Sequence, residues 1–328
     1  MTPSSLVVTF RVDEQSRAVI ADALDGVADT VFLTEVAPEA RAEVLRNAGA
    51  VLARNTARDL RPEELALLRG ARLLQFMSAG VDFIPLRGLP LELPVAANGG
   101  AYAEPMAEHA VAMALAAAKR LFTEHANLSK GEFNQFTPNR MLAGGICGVL
   151  GFGGIGVATA RLMRGLGMRI HAVNRRGATD EPVDWIGTPD RIDELLAASD
   201  VLVVSIPLTP STHNLIGARE LSLMKSDAIL VNLARGEIVD ETALYEHLKA
   251  NPGFTACIDA WWIEPIRHGQ FRVDRPFFHL SNVIASPHNS ASVAGASKVA
   301  LRRAVANCRR ALIGEKPIHL VGPDDRMT

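Results

Sequence analysis

Short apolar runs alternate with amphipathic stretches along almost the whole chain, an alternation that predicts strand, helix and strand in repeated succession. In the first hundred residues the β-compatible runs fall near 6–12, 30–34, 50–55 and 73–79, and helical periodicity falls near 14–24, 39–48 and 62–69. That order implies a small parallel sheet covered by helices. An alanine-rich helix is predicted over 102–122, followed by an irregular polar stretch over 125–140 that reads as a linker, a lid or an arm onto a partner subunit. From residue 144 a longer α/β series runs, with strands at Ile146–Leu150, 168–173, 201–206, 228–233, 254–258 and Val283–Ala285. One intervening helix carries a start signal, Thr188 at the N-cap and Pro189 in the first turn. A last amphipathic helix over 292–312 precedes a polar tail, and its natural place is back across the first domain.

At 328 residues the chain is long enough for two domains of about 150 residues, each with its own core. The formal net charge of -2 offers no electrostatic case for nucleic acid or an anionic membrane surface as partner. Residues 110–118 form the longest run of small apolar side chains, too short to span a bilayer and closed by Lys119 and Arg120. The start, Met1-Thr-Pro-Ser-Ser5, lacks the basic and apolar regions of a secretory leader, so a cytoplasmic protein is expected. Cys147, Cys257 and Cys308 are odd in number, far apart and mostly in apolar surroundings, which reads as reduced core thiols. None has metal-ligand spacing, and no metal is expected.

The chemistry concentrates at strand ends. Gly151-Phe152-Gly153-Gly154-Ile155-Gly156 lies between a strand and a helix, where a dinucleotide cradle needs it. Gly151 allows the tight turn, Gly153 lets backbone approach a pyrophosphate, and Gly156 lets helix and strand pack closely. The helix N-terminus adds N–H donors and the positive end of the dipole. The plainer alternative is a glycine-rich surface turn. Beyond three later strands stand Arg235, Glu264 and His288. An arginine can hold a substrate carboxylate or carbonyl, a histidine can give or take the proton of an alcohol, and a carboxylate on the far ring nitrogen favours and orients the imidazolium. Singly, each has a structural explanation: a surface guanidinium, a solvated carboxylate, a histidine capping loop backbone. Their joint position after three successive core strands favours function.

With these residues the chain resembles the D-isomer-specific 2-hydroxyacid dehydrogenases. The likeness runs from Ser78-Ala79-Gly80-Val81-Asp82 through Asn98, Ala107-Glu108-His109, the glycine fingerprint, 207–212, 231–236 and Asp259 to Glu264-Pro265 and on to His288. The resemblance implies a Rossmann-type doubly wound parallel sheet, residues 101–290, inserted into a smaller flavodoxin-like α/β substrate domain of residues 1–100 and 291–328. It implies a small 2-oxo acid substrate held by Ser78, Ala79, Gly80 and Val81 together with Arg235 and His288, and catalysis by Arg235, Glu264 and His288. It extends the cofactor contacts beyond the fingerprint to Ile206, Pro207, Thr212, Leu233, Ala234, Arg235, Asp259, His288 and Ser290. It also implies a homodimer paired through the cofactor domains, and it places His109 on a helix outside the site.

Three departures from the family pattern stand out. Eighteen residues after Gly156, where an NAD enzyme carries Asp or Glu, the chain has Asn174-Arg175-Arg176, so NADP(H) is expected over NAD(H). Gly154 stands where many relatives have a longer side chain able to reach the pyrophosphate. Trp261 and Trp262, between Asp259 and Glu264, either narrow the pocket or pack as core, and core packing is the expectation. Rival readings on the same scaffold are a dinucleotide-sensing regulator and a formate or phosphite dehydrogenase. Glu264 weighs against formate chemistry, because formate dehydrogenases have glutamine there.

Overall fold

The computed structural model describes residues 5–86, 88–322, 325 and 326. Residues 1–4, on which the reading of the N-terminus partly rests, lie outside them. The chain divides into two units, Met1–Tyr102 with Ala294–Thr328, and Ala103–Val293.

The first unit is built on β1 (Ser5–Val8), β2 (Asp29–Phe32), β3 (Ala48–Ala53), β4 (Leu74–Phe76) and β5 (Val95–Ala96). All pairings are parallel, in the order β2-β1-β3-β4-β5. This is the flavodoxin-like order. Strand residues alternate between two cores, as a period of two requires. Leu6, Val8, Ala50 and Leu52 face one, while Val7, Val51, Ala53 and Leu74 face the other. The C-terminal helix Ala296–Leu312 covers the first core with Leu301, Ala304, Val305, Cys308 and Leu312. Each fully buried Leu or Val there contributes about 1.5–3 kcal/mol, enough to hold the helix in place.

The second unit carries β6 (Ile146–Leu150), β7 (Arg169–Val173), β8 (Trp185–Gly187), β9 (Val201–Val204), β10 (Ile229–Asn232), β11 (Thr255–Ile258) and β12 (Val283–Ala285). They form one parallel sheet, ordered β12-β11-β10-β9-β6-β7-β8. Every residue of β6, β9 and β10 is buried, the continuous apolar signature of a parallel sheet covered on both faces. The order reverses between β6 and β9, and beyond that switch point such sheets bind ligands at the carboxyl ends of their strands. No helix among the described residues is long and apolar enough to cross a membrane.

Several boundaries differ from the sequence-based expectation. The helix predicted over 102–122 ends at Ala118, Arg120 turns left-handed with φ 53°, and a second helix occupies Leu121–Ser129. The stretch expected to be irregular from 125 therefore begins inside a helix. The cause is tertiary: the Arg140 N–H donates to the Ala118 carbonyl and Lys119 Nζ to the Arg140 carbonyl, closing the helix end where it stands. Strands β5 and β8 were not anticipated, being two and three residues long and defined by their pairing alone. Residues Pro62–Gly70 form a 3-10 rather than an α-helix. Thr188 occupies an N-cap position but makes no side-chain cap, and Pro189–Arg191 is a 3-10 turn leading into the helix Ile192–Ala198. The last helix starts at Ala296 rather than 292 because Gly295, at φ 81°, breaks the chain direction first.

Candidate active site

The glycine turn follows β6. Gly151 has φ 101°, in the left-handed region that only glycine adopts readily, and a Cβ there would lie 2.8 Å from Ile206 Cγ2. A Cβ on Gly156 would lie 2.2 Å from the Gly151 carbonyl oxygen, so helix Gly154–Gly165 can approach the strand only with glycine at this position. At Gly153 the situation is opposite: nothing lies within 4 Å of the position a Cβ would take. Open space over backbone that leads into a 12-residue helix N-terminus fits a pyrophosphate, which accepts from the unpaired N–H groups of the first turn. Phe152 is buried beside it, and Ile155 packs on Ala103, Ala107 and Ala158.

Arg235, Glu264 and His288 follow β10, β11 and β12 in that order. His288 Nδ1 lies 2.8 and 2.9 Å from the two Glu264 carboxylate oxygens, so the ring gives its Nδ1–H to the carboxylate and turns Nε2 the other way. Glu264 is buried, which by itself raises its carboxyl. The His288 hydrogen bonds, the Trp261 N–H at 2.7 Å and the His288 and Arg235 charges outweigh that, holding the group below the ordinary carboxylate range. His288 itself has φ 51°, a costly conformation for a residue with a Cβ, and its own N–H donates to the Asp259 carbonyl at 2.9 Å. Asn232 shapes the arginine loop from below: its Oδ1 accepts from the Ala234 N–H and its Nδ2 donates to the Arg235 carbonyl.

Asp259 is completely buried, and the loop after β12 wraps around it. Its Oδ1 accepts from the Ser286 hydroxyl at 2.5 Å and the Asn289 N–H at 3.2 Å, and its Oδ2 from the Ser290 N–H at 3.3 Å. Ser290 Oγ is buried without a hydrogen-bond partner. His109, expected on a helix outside the site, does lie on a helix and touches the loop after β12 through one side-chain contact. Helix Ala103–Ala118 runs against β10 and β11 and brings His109 Nε2 to 3.0 Å from Ser286 Oγ. Sequence reasoning also passed over Ser286 and Asn232; both stood in the motifs at strand ends, but only their neighbours were read as chemical.

Trp261 and Trp262 are buried within the second unit, their indole N–H groups donating to the Ser286 and Val239 carbonyls. Trp262 stacks on Phe277, and Trp261 meets Phe271 and Phe278. Leu233 and Ala234 are buried as well. Thr212 spends its hydroxyl inside the loop after β9, donating to the Pro207 carbonyl and accepting from the Thr209 N–H. Beyond β7, Asn174 is likewise committed: Oδ1 accepts from the Arg176 N–H and Nδ2 donates to the Ala178 carbonyl, an Asx turn that leaves Arg175 and Arg176 exposed. In the first unit, the Ser78 to Val81 loop follows β4. Asn98 pins it, its N–H on the Ser78 carbonyl and its amide on the Met77 and Ala300 carbonyls, while Ser78 Oγ is buried without a partner. All three cysteines are buried free thiols, and burial pushes Cys147 up to about 12, far from a reactive thiolate.

Comparison with known proteins bears on the same residues. The family described as D-isomer specific 2-hydroxyacid dehydrogenase, NAD binding domain, matches residues 111–290. A D-3-phosphoglycerate dehydrogenase from Methanocaldococcus jannaschii is 29% identical over 298 residues, covering 89% of this chain and 55% of the relative. A glyoxylate reductase from Thermococcus gammatolerans is 34% identical over 226 residues, 66% of each. The chain thus spans between about half and two thirds of the length of these curated relatives. Among solved structures, a D-isomer specific 2-hydroxyacid dehydrogenase from Xanthobacter autotrophicus Py2, in complex with NADPH and MES, has a TM-score of 0.77 and 25% identity, covering 98% of this chain and 99% of that one. The chain belongs to the D-isomer specific 2-hydroxyacid dehydrogenase family.

Proposed function

We propose that this protein is an oxidoreductase that moves a hydride between NADP(H) and a small 2-oxo or 2-hydroxy acid, with glyoxylate and hydroxypyruvate as first candidates. The observation that carries the reading is the His288–Glu264 pair at 2.8 and 2.9 Å, with the Arg235 charge acting on the same carboxylate. The bound nicotinamide supplies or accepts the hydride. In reduction, His288 delivers a proton from Nε2 to the carbonyl oxygen; in oxidation it takes that proton from the hydroxyl. Glu264 holds the ring through Nδ1 and stabilises its charged form, and Arg235 clamps the substrate by charge-assisted hydrogen bonds. Asp259, Ser290 and the Leu233 and Ala234 backbone serve the nicotinamide end, with Ile206, Pro207 and Thr212 further along. In the first unit, the backbone N–H groups of Ala79, Gly80 and Val81 bind carboxylate.

The preference for NADP(H) rests on Asn174-Arg175-Arg176, which puts no acid directly after β7 and places two exposed arginines there, whose charge suits a 2′-phosphate. The NADPH carried by the Xanthobacter relative supports it. Pairing of two copies through the second unit is supported by the apolar side chains it presents to solvent, among them Phe133, Phe136 and Met141. Cytoplasmic location follows the same reading. The test is initial rates with NADPH and NADH across a panel of 2-oxo acids, with formate and phosphite in the oxidative direction. The reading expects a higher kcat/KM with NADPH and a 2-oxo acid. An equal or higher value with NADH removes the NADP(H) assignment, and turnover of formate or phosphite alone removes the substrate class.

A further inference from the structure

We infer that His109 is a positioning residue, acting through the Ser286 hydroxyl to fix the Asp259 carboxylate around which the His288 loop is folded. Its kinetic consequence rests on the proposed role of His288. A serine hydroxyl has one proton. At 2.5 Å from Asp259 Oδ1, an acceptor, Ser286 gives that proton to the carboxylate and can only accept from His109 Nε2 at 3.0 Å. The chain is therefore directional: His109 Nε2–H to Ser286 Oγ, and Ser286 Oγ–H to Asp259. His109 Nε2 is also 3.7 Å from Asp259 Oδ1, within range of direct electrostatic support.

What this chain holds is a strained loop. His288 sits at φ 51°, and the three residues 288–290 hang from Asp259 by their backbone N–H groups, one on its carbonyl and two on its carboxylate. Without the His109 N–H, the Ser286 oxygen is fixed only by the carboxylate it donates to, and an Asp259 carboxylate whose donor moves leans on the Asn289 and Ser290 N–H groups it already accepts from. The loop then shifts, and with it the Nε2 that must meet the substrate oxygen. Of the charged groups on the facing elements, Glu264 holds the His288 ring and Arg235 acts by its charge on Glu264, and neither contacts Ser286 or His109 in the bonds described above. His109 is thus a control separate from the Glu264 pair.

The experiment compares wild type with His109→Ala, His109→Gln and Ser286→Ala by hydrogen exchange of peptides covering 286–292 in the ligand-free protein, alongside kcat and KM. His109→Ala and Ser286→Ala are expected to raise exchange in those peptides and to lower kcat about ten- to hundredfold. His109→Gln restores a side-chain N–H donor and is expected to recover most of both. Wild-type exchange and kcat in His109→Ala would overturn the inference, as would a His109→Gln variant as impaired as alanine, which would make the residue packing alone. If the wild type itself turns over no 2-oxo acid, the functional reading fails, and the exchange data still decide the role of His109.

Discussion

Glu264 is a buried carboxylate whose charge is sustained by what touches it. Because its folded-state value lies below the ordinary carboxylate range, its ionised form stabilises the native protein at neutral pH. That contribution is complete above the unfolded value, about 4.3, and is lost as pH falls through the lower folded value. The difference in Tm between wild type and Glu264→Gln should accordingly shrink as pH falls from the ordinary carboxylate range through the lower folded value. A difference independent of pH across that range would contradict the electrostatic account. Arg235, Glu264 and His288 were legible in the sequence because each follows a core strand, and strand ends are where such sheets place chemistry. Asn232, Ser286 and His109 were not, since their roles depend on side-chain direction and on a helix distant in sequence.

The loops that hold these side chains depend on close backbone approaches. A Cβ on Gly236 would lie 2.4 Å from both Trp261 C and Trp262 N, atoms of a neighbouring loop with no freedom to rotate away. Gly236→Ala must therefore separate the Arg235 loop from the Trp261–Glu264 segment. It is expected to cost about 1–3 kcal/mol in denaturant unfolding, as overpacking does, and to depress kcat/KM through displaced Arg235. Wild-type stability and activity in that variant would show that the approach is not constrained. The strand runs were readable because parallel strands buried on both faces are apolar without interruption, as at β9 and β10. The helix break at Arg120 was hidden, because the Arg140 N–H that meets the Ala118 carbonyl comes from 22 residues further along.

For the molecule as a whole, the order of motifs along the chain was enough to anticipate a doubly wound parallel sheet inserted into a smaller parallel one. It left 125–140 open as a linker, a lid or an arm onto a partner subunit. In the structure that region and its flanks expose Leu121, Phe122, Leu128, Phe133, Phe136 and Met141, with Phe136 88% exposed. An apolar strip of this kind is what a partner subunit covers. Light scattering after size exclusion should find a dimer for wild type and a monomer for Phe136→Asp combined with Phe133→Asp; a wild-type monomer would contradict the assembly. The central claim, that His288 carries the proton in hydride transfer to a 2-oxo acid, is tested most directly by kcat for hydroxypyruvate reduction with NADPH in His288→Ala against wild type. A fall of about two to four orders of magnitude with NADPH binding retained is the predicted result, and an unchanged kcat would contradict it.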